Sequence, residues 1–110
     1  MSEKLKVLIV CSRNKKRSLT AEKIYKNDQR LDLRSVGTSP NAKRKITQAN
    51  ISWADIIICM ENKHRQIIQK LFSENNLPNI LVLNIEDKYE FMDAELIEML
   101  ETEIEEIIAL

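Results

Sequence analysis

The chain has 110 residues, which suits one domain of ordinary size, and we predict that residues 1–110 form a single domain. Hydrophobic residues make up 44% of the chain and charged residues 31%, a composition that argues against a disordered or membrane-spanning protein. The 17 basic and 17 acidic side chains balance, so the net charge does not suggest a strongly basic nucleic-acid binder. Residues 1–50 nevertheless carry a net charge of +9 and residues 51–110 a net charge of −9, so an anionic ligand is expected to bind the first half.

The first predicted elements are a strand, a loop, a helix and a second strand. Residues 4–11 (KLKVLIVC) form an almost continuously apolar, β-branched run, which is typical of a strand covered on both faces of a parallel sheet. Residues 18–27 place apolar side chains at three- and four-residue spacings, which predicts an amphipathic helix. Residues 31–36 predict a second strand, which ends at Gly37, the only glycine of the chain.

Helices and strands continue to alternate in the second half of the chain. The predicted elements are a short helix over residues 47–53, a strand over 54–60, a helix over 62–72 with Ile67, Ile68 and Leu71 facing inward, a strand over 80–85 and a helix over 94–109. Thr47 and Asp93 are the expected N-caps of the first and last of these helices.

This alternation predicts an α/β fold with three layers, α/β/α, around a four-stranded parallel sheet. The strand order 2-1-3-4 is expected. Ligands of such sheets bind beyond the carboxyl ends of the strands, where the strand order reverses. The expected site is therefore the end of the first strand, at Cys11.

The loop over residues 11–18 contains a cysteine, several cations and an Arg-Ser pair. Because it joins a strand to a helix, its amides and the positive end of the helix dipole can bind a phosphate-sized anion. The same groups favour the thiolate form of Cys11, while Arg17 can bind two phosphate oxygens and Ser18 can donate a hydrogen bond to the sulfur. A cysteine at the end of a strand can equally be a buried apolar residue, so the spacing alone leaves both interpretations open.

The segment VLIVCSRNKKRSLTAEKIY resembles the phosphate loop of the low-molecular-weight protein tyrosine phosphatases, which reads Cys-x-Gly-Asn-x-x-Arg-Ser after a first strand. Cys11, Asn14, Arg17 and Ser18 match this pattern. Later stretches resemble the family in the same order; they are SVGTSP (35–40), RKIT (44–47), ADIIICMEN (54–62) and IEDKY (85–89). The resemblance covers nearly the whole chain and is closest to a compact bacterial branch of the family.

The resemblance implies an enzyme that hydrolyses phosphotyrosine or small aryl phosphates through a phosphocysteine intermediate. A cytoplasmic location is expected because two cysteines do not form the disulfide framework of a small secreted domain. Cys11 would be the nucleophile, Arg17 would stabilise the transferred phosphoryl group, and Asp87 would be the general acid. Phosphate or sulfate is expected to bind the loop. No metal, cofactor, nucleic acid or membrane is expected to take part. The apolar run over residues 7–10 is too short for a signal peptide or a membrane helix.

Further residues are predicted to bind substrate, Arg13, Lys15 and Lys16 by their charge and the others by the resemblance. They are Ser12, Arg13, Asn14, Lys15, Lys16, Ser18 and Tyr89. Asn14 is expected to adopt a positive φ and to share hydrogen bonds with Ser18 and Ser35, a supporting residue, and Tyr89 is expected to form a wall of the pocket. His64 is expected on an exposed helix face, and Trp53 in the core.

The chain departs from the family pattern at several places in the site. Arg13 replaces a glycine, Lys16 replaces a second loop cysteine, and Lys88 replaces a proline. Residues 39–43 stand in for a much longer segment that carries an aromatic wall of the cleft, so a shallow, open cleft is expected. The cations at its mouth favour acidic substrates and disfavour phosphoarginine.

Two other functions compatible with the sequence remain open. A thiol-dependent arsenate reductase shares the fold and the loop, but it needs further cysteines, and Cys59, in an apolar run, is the only other one. The second alternative is a non-catalytic module that binds phosphate or a phosphopeptide.

Overall fold

The computed structural model describes residues 4–73 and 76–109, in which strands alternate with helices. The elements are β1 (Leu5–Cys11), α1 (Arg17–Ile24), β2 (Leu31–Gly37), α2 (Gln48–Trp53), β3 (Ile56–Cys59), α3 (Asn62–Leu71), β4 (Asn79–Val82) and α4 (Ala94–Ala109). All strand pairs are parallel, and the order in the sheet is β2-β1-β3-β4. The predicted four-stranded sheet and its order are confirmed.

Two apolar clusters, one on each face of the sheet, form the core. Because side chains alternate along a strand, Val7, Ile9 and Cys11 of β1 belong to one cluster and Leu8 and Val10 to the other. Helices α1 and α4 complete the first cluster and α2 and α3 the second, through Ala21, Leu96, Leu100, Ile104, Ile51 and Ile68. The predicted three-layer α/β/α arrangement is therefore confirmed.

The two predicted N-caps are present. Thr47 and Asn50 form a reciprocal capping box at α2, in which the Thr47 hydroxyl accepts from the Asn50 backbone N–H and the Asn50 side chain accepts from the Thr47 N–H. The Asp93 carboxylate accepts from the backbone N–H groups of Glu95 and Leu96 at the start of α4. Among the helices of the described residues, none has the length and apolarity that crossing a bilayer requires.

Some predicted boundaries are wrong. β3 and β4 are four residues each, shorter than the predicted 54–60 and 80–85. Asn84 has a φ of 59°, and this left-handed conformation interrupts the extended chain after β4. Leu71, predicted to face inward, is 57% exposed, whereas the neighbouring Phe72 packs against the second cluster.

The sheet order explains why one edge of the sheet collects the polar residues of interest. β1 lies between β2 and β3, so the chain crosses to opposite sides of β1 after its first and second strands. The carboxyl ends of β1 and β3 therefore lie side by side at the point where the order reverses. The loop over residues 11–17 follows β1, and α3 begins directly after β3, so these two segments meet.

Candidate active site

The loop over residues 11–17 turns its first carbonyl groups away from its centre. The carbonyl oxygens of residues 11–13 accept hydrogen bonds, at 2.9 to 3.0 Å, from backbone N–H groups of the segment over residues 38–43. Because the N–H of each trans peptide unit points opposite to its C=O, the N–H groups of residues 12–14 face the other way. The Asn14 N–H points toward the centre of the loop, because it donates to the sulfur of Cys11 at 3.3 Å.

The close contact between β2 and this loop explains the single glycine. A Cβ atom on Gly37 would overlap the carbonyl oxygen of Ser12 and lie 2.7 Å from the Cβ of Ala42 and 3.0 Å from the backbone nitrogen of Asn14. The φ of Gly37 is not positive, so close approach of two backbones, rather than backbone conformation, requires glycine here.

Two hydrogen bonds converge on the sulfur of Cys11. The side-chain amide of Asn14 donates to the Ser18 hydroxyl at 2.8 Å, and that hydroxyl lies 2.9 Å from the Cys11 sulfur. Since Ser18 accepts from Asn14, its own hydrogen can point at the sulfur, which also accepts from the Asn14 N–H. Two polar hydrogens can therefore point at the sulfur. As predicted, Asn14 has a positive φ, of 57°, whereas Arg13 at the family's glycine position does not.

The predicted hydrogen bond from Asn14 to Ser35 is wrong. The Ser35 backbone N–H and hydroxyl both donate to Glu22 at 2.9 Å, and Arg44 donates to the same carboxylate. Burial acts to raise the pKa of Glu22, but these hydrogen bonds from Arg44 and Ser35 leave that pKa lowered. Ser35 thus supports the contact between α1 and β2, and the Asn14 side-chain oxygen is buried without a partner among the described residues.

Arg17, the first residue of α1, is held by the residue before α3 and by the segment after β4. Its side chain is 2% exposed, and its Nη1 donates to the carboxylate of Glu61 and to the carbonyl of Ile85 at 2.7 Å. Burial acts to raise the pKa of Glu61, but the hydrogen bond and charge of Arg17 leave it lowered, so Glu61 is a carboxylate at neutral pH. These contacts fix the guanidinium beside the loop.

A small cavity of about 90 Å³ opens at the loop. Its walls are formed by Cys11, Arg13, Lys15, Lys16, Arg17 and Asp87. Since one water needs at least about 10–15 Å³, this space can hold an anion the size of phosphate. Four of the six lining side chains are cationic, and the N-terminus of α1 adds its partial positive charge. The cavity is therefore built to attract an anion to the sulfur of Cys11.

Two site residues, Asp87 and Tyr89, are predicted from the segment after β4, and only Asp87 lines the cavity. The Asp87 carboxylate lines the cavity, 3.8 Å from Nε of Arg17, with its side chain 59% exposed. Tyr89, predicted to wall the pocket, is instead packed into the first apolar cluster with its hydroxyl directed at the sulfur of Met99. The apolar aromatic ring of Tyr89 is thus buried in the core between the sheet and α4.

His64 was expected to be exposed, and this expectation is wrong. Its side chain is completely buried at the start of α3, where Nδ1 accepts from the backbone N–H of Glu61 at 3.1 Å and Nε2 lies 2.9 Å from the Ser12 hydroxyl. Burial, followed by the positive charge of Arg17, lowers the pKa of His64 to about 4, so the ring is neutral at pH 7.

Glu61 and His64 are therefore the residues of this site that the sequence reasoning missed. The available signal was their three-residue spacing across a predicted helix start, which is the spacing of a reciprocal cap. Their partners Arg17 and Ser12 are 44 and 52 residues away in the chain, a separation that no local pattern encodes.

The second cysteine lies away from the cavity. Cys59 belongs to the apolar cluster on the opposite face of the sheet from Cys11. Burial raises the pKa of the Cys59 thiol to about 12, so it is a protonated, apolar side chain. Trp53, expected in the core, is only half-buried; it packs against the same cluster, with the guanidinium of Arg34 4.1 Å from its ring centre. Within residues 4–73 and 76–109, no three potential ligands from His, Cys, Asp and Glu group as a metal site.

The chain matches no protein-family model and no curated protein. Solved structures resemble it over almost its whole length. The low molecular weight protein tyrosine phosphatase SP-PTP from Streptococcus pyogenes superposes with a TM-score of 0.78 at 17% identity, covering 96% of this chain and 91% of its own. The tyrosine phosphatase Wzb from Escherichia coli K30, solved in complex with phosphate, gives 0.76 at 17% identity, covering 97% and 98%.

A third similar structure has a different named activity. The YwlE arginine phosphatase from Geobacillus stearothermophilus gives a TM-score of 0.66 at 20% identity, covering 96% of this chain and 88% of its own. The predicted fold, that of the low-molecular-weight phosphatases, is thereby confirmed.

Proposed function

We propose that this chain is a cysteine-dependent phosphatase that hydrolyses phosphotyrosine or other aryl phosphate monoesters. The observation that carries the proposal is that the sulfur of Cys11, which accepts a hydrogen bond from the Asn14 N–H and lies 2.9 Å from the Ser18 hydroxyl, opens into the same cationic cavity as Arg17 and Asp87. The phosphatases among the solved structures of this fold, one of them with bound phosphate, support the same chemistry.

In the first step, the Cys11 thiolate attacks phosphorus in line with the leaving oxygen. A sulfur–phosphorus bond forms and the ester phosphorus–oxygen bond breaks, while Arg17 and the inward N–H groups of the loop stabilise the three equatorial oxygens. Asp87 in its protonated form gives its proton to the departing aryl oxygen. Its position on the cavity wall is suited to a leaving group at the open side.

In the second step, water hydrolyses the phosphocysteine. The Asp87 carboxylate, now without its proton, takes one from the attacking water, the sulfur–phosphorus bond breaks, and inorganic phosphate leaves with the thiolate restored. The cycle is balanced with water as the only co-substrate.

The charge at the cavity mouth favours aryl phosphates over phosphoarginine. Arg13 and Lys15 line the cavity, and the guanidinium of phosphoarginine would lie close to these cations. Replacing Lys15 by Glu should therefore weaken turnover of an acidic phosphotyrosine peptide and leave a small neutral aryl phosphate little changed. Equal losses on both substrates would contradict this role for Lys15.

The two other candidate functions have less support. An arsenate reductase needs a second thiol that can reach the first, whereas Cys59 lies in the core on the opposite face of the sheet. A non-catalytic phosphate module would have no need of a carboxylate at the mouth, yet Asp87 lines the cavity there.

Hydrolysis of an aryl phosphate by matched pairs of variants tests the proposal. Cys11→Ser should abolish turnover, while Cys59→Ala, its control, should retain it. Asp87→Asn should lower kcat by about 10²–10⁴-fold, as loss of a general acid does. Asp93→Asn keeps an N-cap at α4 and should leave kcat unchanged. Phosphate binding by the wild type without turnover would overturn the proposal in favour of a binding module, and arsenate reduction that depends on Cys59 would favour a reductase.

A further inference from the structure

The N-cap and the first turn of α3 contact the anion-binding loop at both of its ends. His64 meets Ser12, which directly follows the cysteine, and Glu61 meets Arg17, with which the loop enters α1. The backbone N–H of Glu61 in turn donates to Nδ1 of His64, so the two contacts share one helix start. A single rigid element therefore determines the spacing of the two loop ends.

The hydrogen bonds of His64 fix which ring nitrogen carries the proton. A backbone N–H can only donate, so Nδ1 of His64 is the acceptor for Glu61 and carries no hydrogen. The neutral ring then has its hydrogen on Nε2, which donates to the Ser12 hydroxyl at 2.9 Å. Both ring nitrogens are satisfied in a completely buried site, where a protonated ring would lose the Glu61 contact.

We infer that His64 is a positioning residue: as the Nε2–H tautomer it holds Ser12, and with it the first N–H groups of the loop, in the anion-binding arrangement. This inference rests on the proposed function and extends it to a residue outside the cavity. The carbonyl of Ser12 is held from the other side by the N–H of Ser39, so Ser12 is fixed at two points while the loop receives the anion. Preorganised donors of this kind need no rearrangement when the charge arrives.

Binding of inorganic phosphate to a set of variants tests this inference. An asparagine amide oxygen can replace Nδ1 at the Glu61 N–H, whereas a glutamine amide nitrogen can replace Nε2 at Ser12. We therefore expect His64→Asn and Ser12→Ala each to weaken phosphate binding by about 3- to 10-fold, the usual effect of one hydrogen bond, and His64→Gln to restore most of it. The double variant, Ser12→Ala with His64→Asn, should bind no more weakly than either single one.

A merely structural role for His64 gives a different result. Ile68→Ala, on the same helix, creates a cavity without touching the loop, and it should lower the unfolding free energy while leaving phosphate affinity unchanged. If His64→Asn behaves like this control, or if its effect simply adds to that of Ser12→Ala, the inference is wrong. An imidazole ¹⁵N spectrum that places the hydrogen on Nδ1 would also overturn it.

These measurements separate this inference from the proposed function. Phosphate binding and the ring spectrum need no turnover, so a wild type that binds phosphate without hydrolysing an ester would refute only the proposed function. Conversely, efficient hydrolysis by His64→Asn with wild-type phosphate affinity would refute only the role of His64.

Discussion

Acidification should destabilise the native protein through His64, the only histidine of the chain. In the unfolded chain its pKa is about 6.5, whereas burial and the charge of Arg17 lower the native pKa to about 4. Between these values the unfolded state binds a proton that the native state does not, so stability falls as the pH falls through this window and levels off below about 4. At about 1.4 kcal/mol per pH unit, the contribution lost is about 3 kcal/mol.

Comparison with His64→Asn isolates this effect, because the carboxylates titrate in both proteins. Urea unfolding at several pH values from 7 to 4 should show the wild type losing about 3 kcal/mol more than the variant. The other charged groups that act on His64 are Glu61, the N-cap of α3, Lys63 of α3 and Asp87 of the cavity, and only the carboxylates act to raise its pKa. Parallel stability curves for the two proteins, or a native His64 pKa near 6.5 by NMR, would refute the reasoning.

Three further predictions concern packing and thiol chemistry. Gly37→Ala forces a Cβ into the Ser12 carbonyl and should lower the unfolding free energy by about 1–3 kcal/mol and weaken phosphate binding, whereas wild-type values for both would contradict the described contact. Leu100→Ala empties part of the fully buried first cluster and should cost about 2–5 kcal/mol in a urea titration; a cost below about 1 kcal/mol would place Leu100 outside the core. Burial raises the pKa of Cys59 to about 12, so at pH 8 a thiol reagent should modify Cys11, with protection by phosphate, and leave Cys59 intact until the protein unfolds; equal rates at the two thiols would contradict this difference.

The elements that the sequence predicts well are those with strong local signals. β1 is an almost continuously apolar run, and α4 has both a capping aspartate and an apolar stripe, so both elements match their predictions closely. The positive φ of Asn14 follows from the preference of asparagine for the left-handed region. The loop over residues 11–18 is a candidate site because its cysteine, arginine and serine lie within eight residues and because later stretches resemble the same family in the same order.

What the sequence does not predict depends on contacts between distant segments. His64 looks like a surface residue on its helix, and only the meeting of α3 with the loop after β1 buries it. Similarly, the sequence predicts a hydrogen bond between Ser35 and Asn14. In the structure, the carboxylate of Glu22 in α1 accepts from both the backbone N–H and the hydroxyl of Ser35 instead. Tyr89 could face the cavity or the core, and apolar burial against the sheet and α4 decides for the core.

The most direct test of the proposed chemistry is to trap the covalent intermediate. With an aryl phosphate whose phenol is acidic enough to leave without a proton, the first step proceeds in Asp87→Asn but the second step lacks its general base, so this variant, denatured rapidly, should accumulate a phosphoryl group. Peptide mass spectrometry should locate that group on Cys11, and Cys11→Ala should show none. Turnover of the aryl phosphate with no phosphoryl group on Cys11 at any time point would contradict nucleophilic catalysis by this residue.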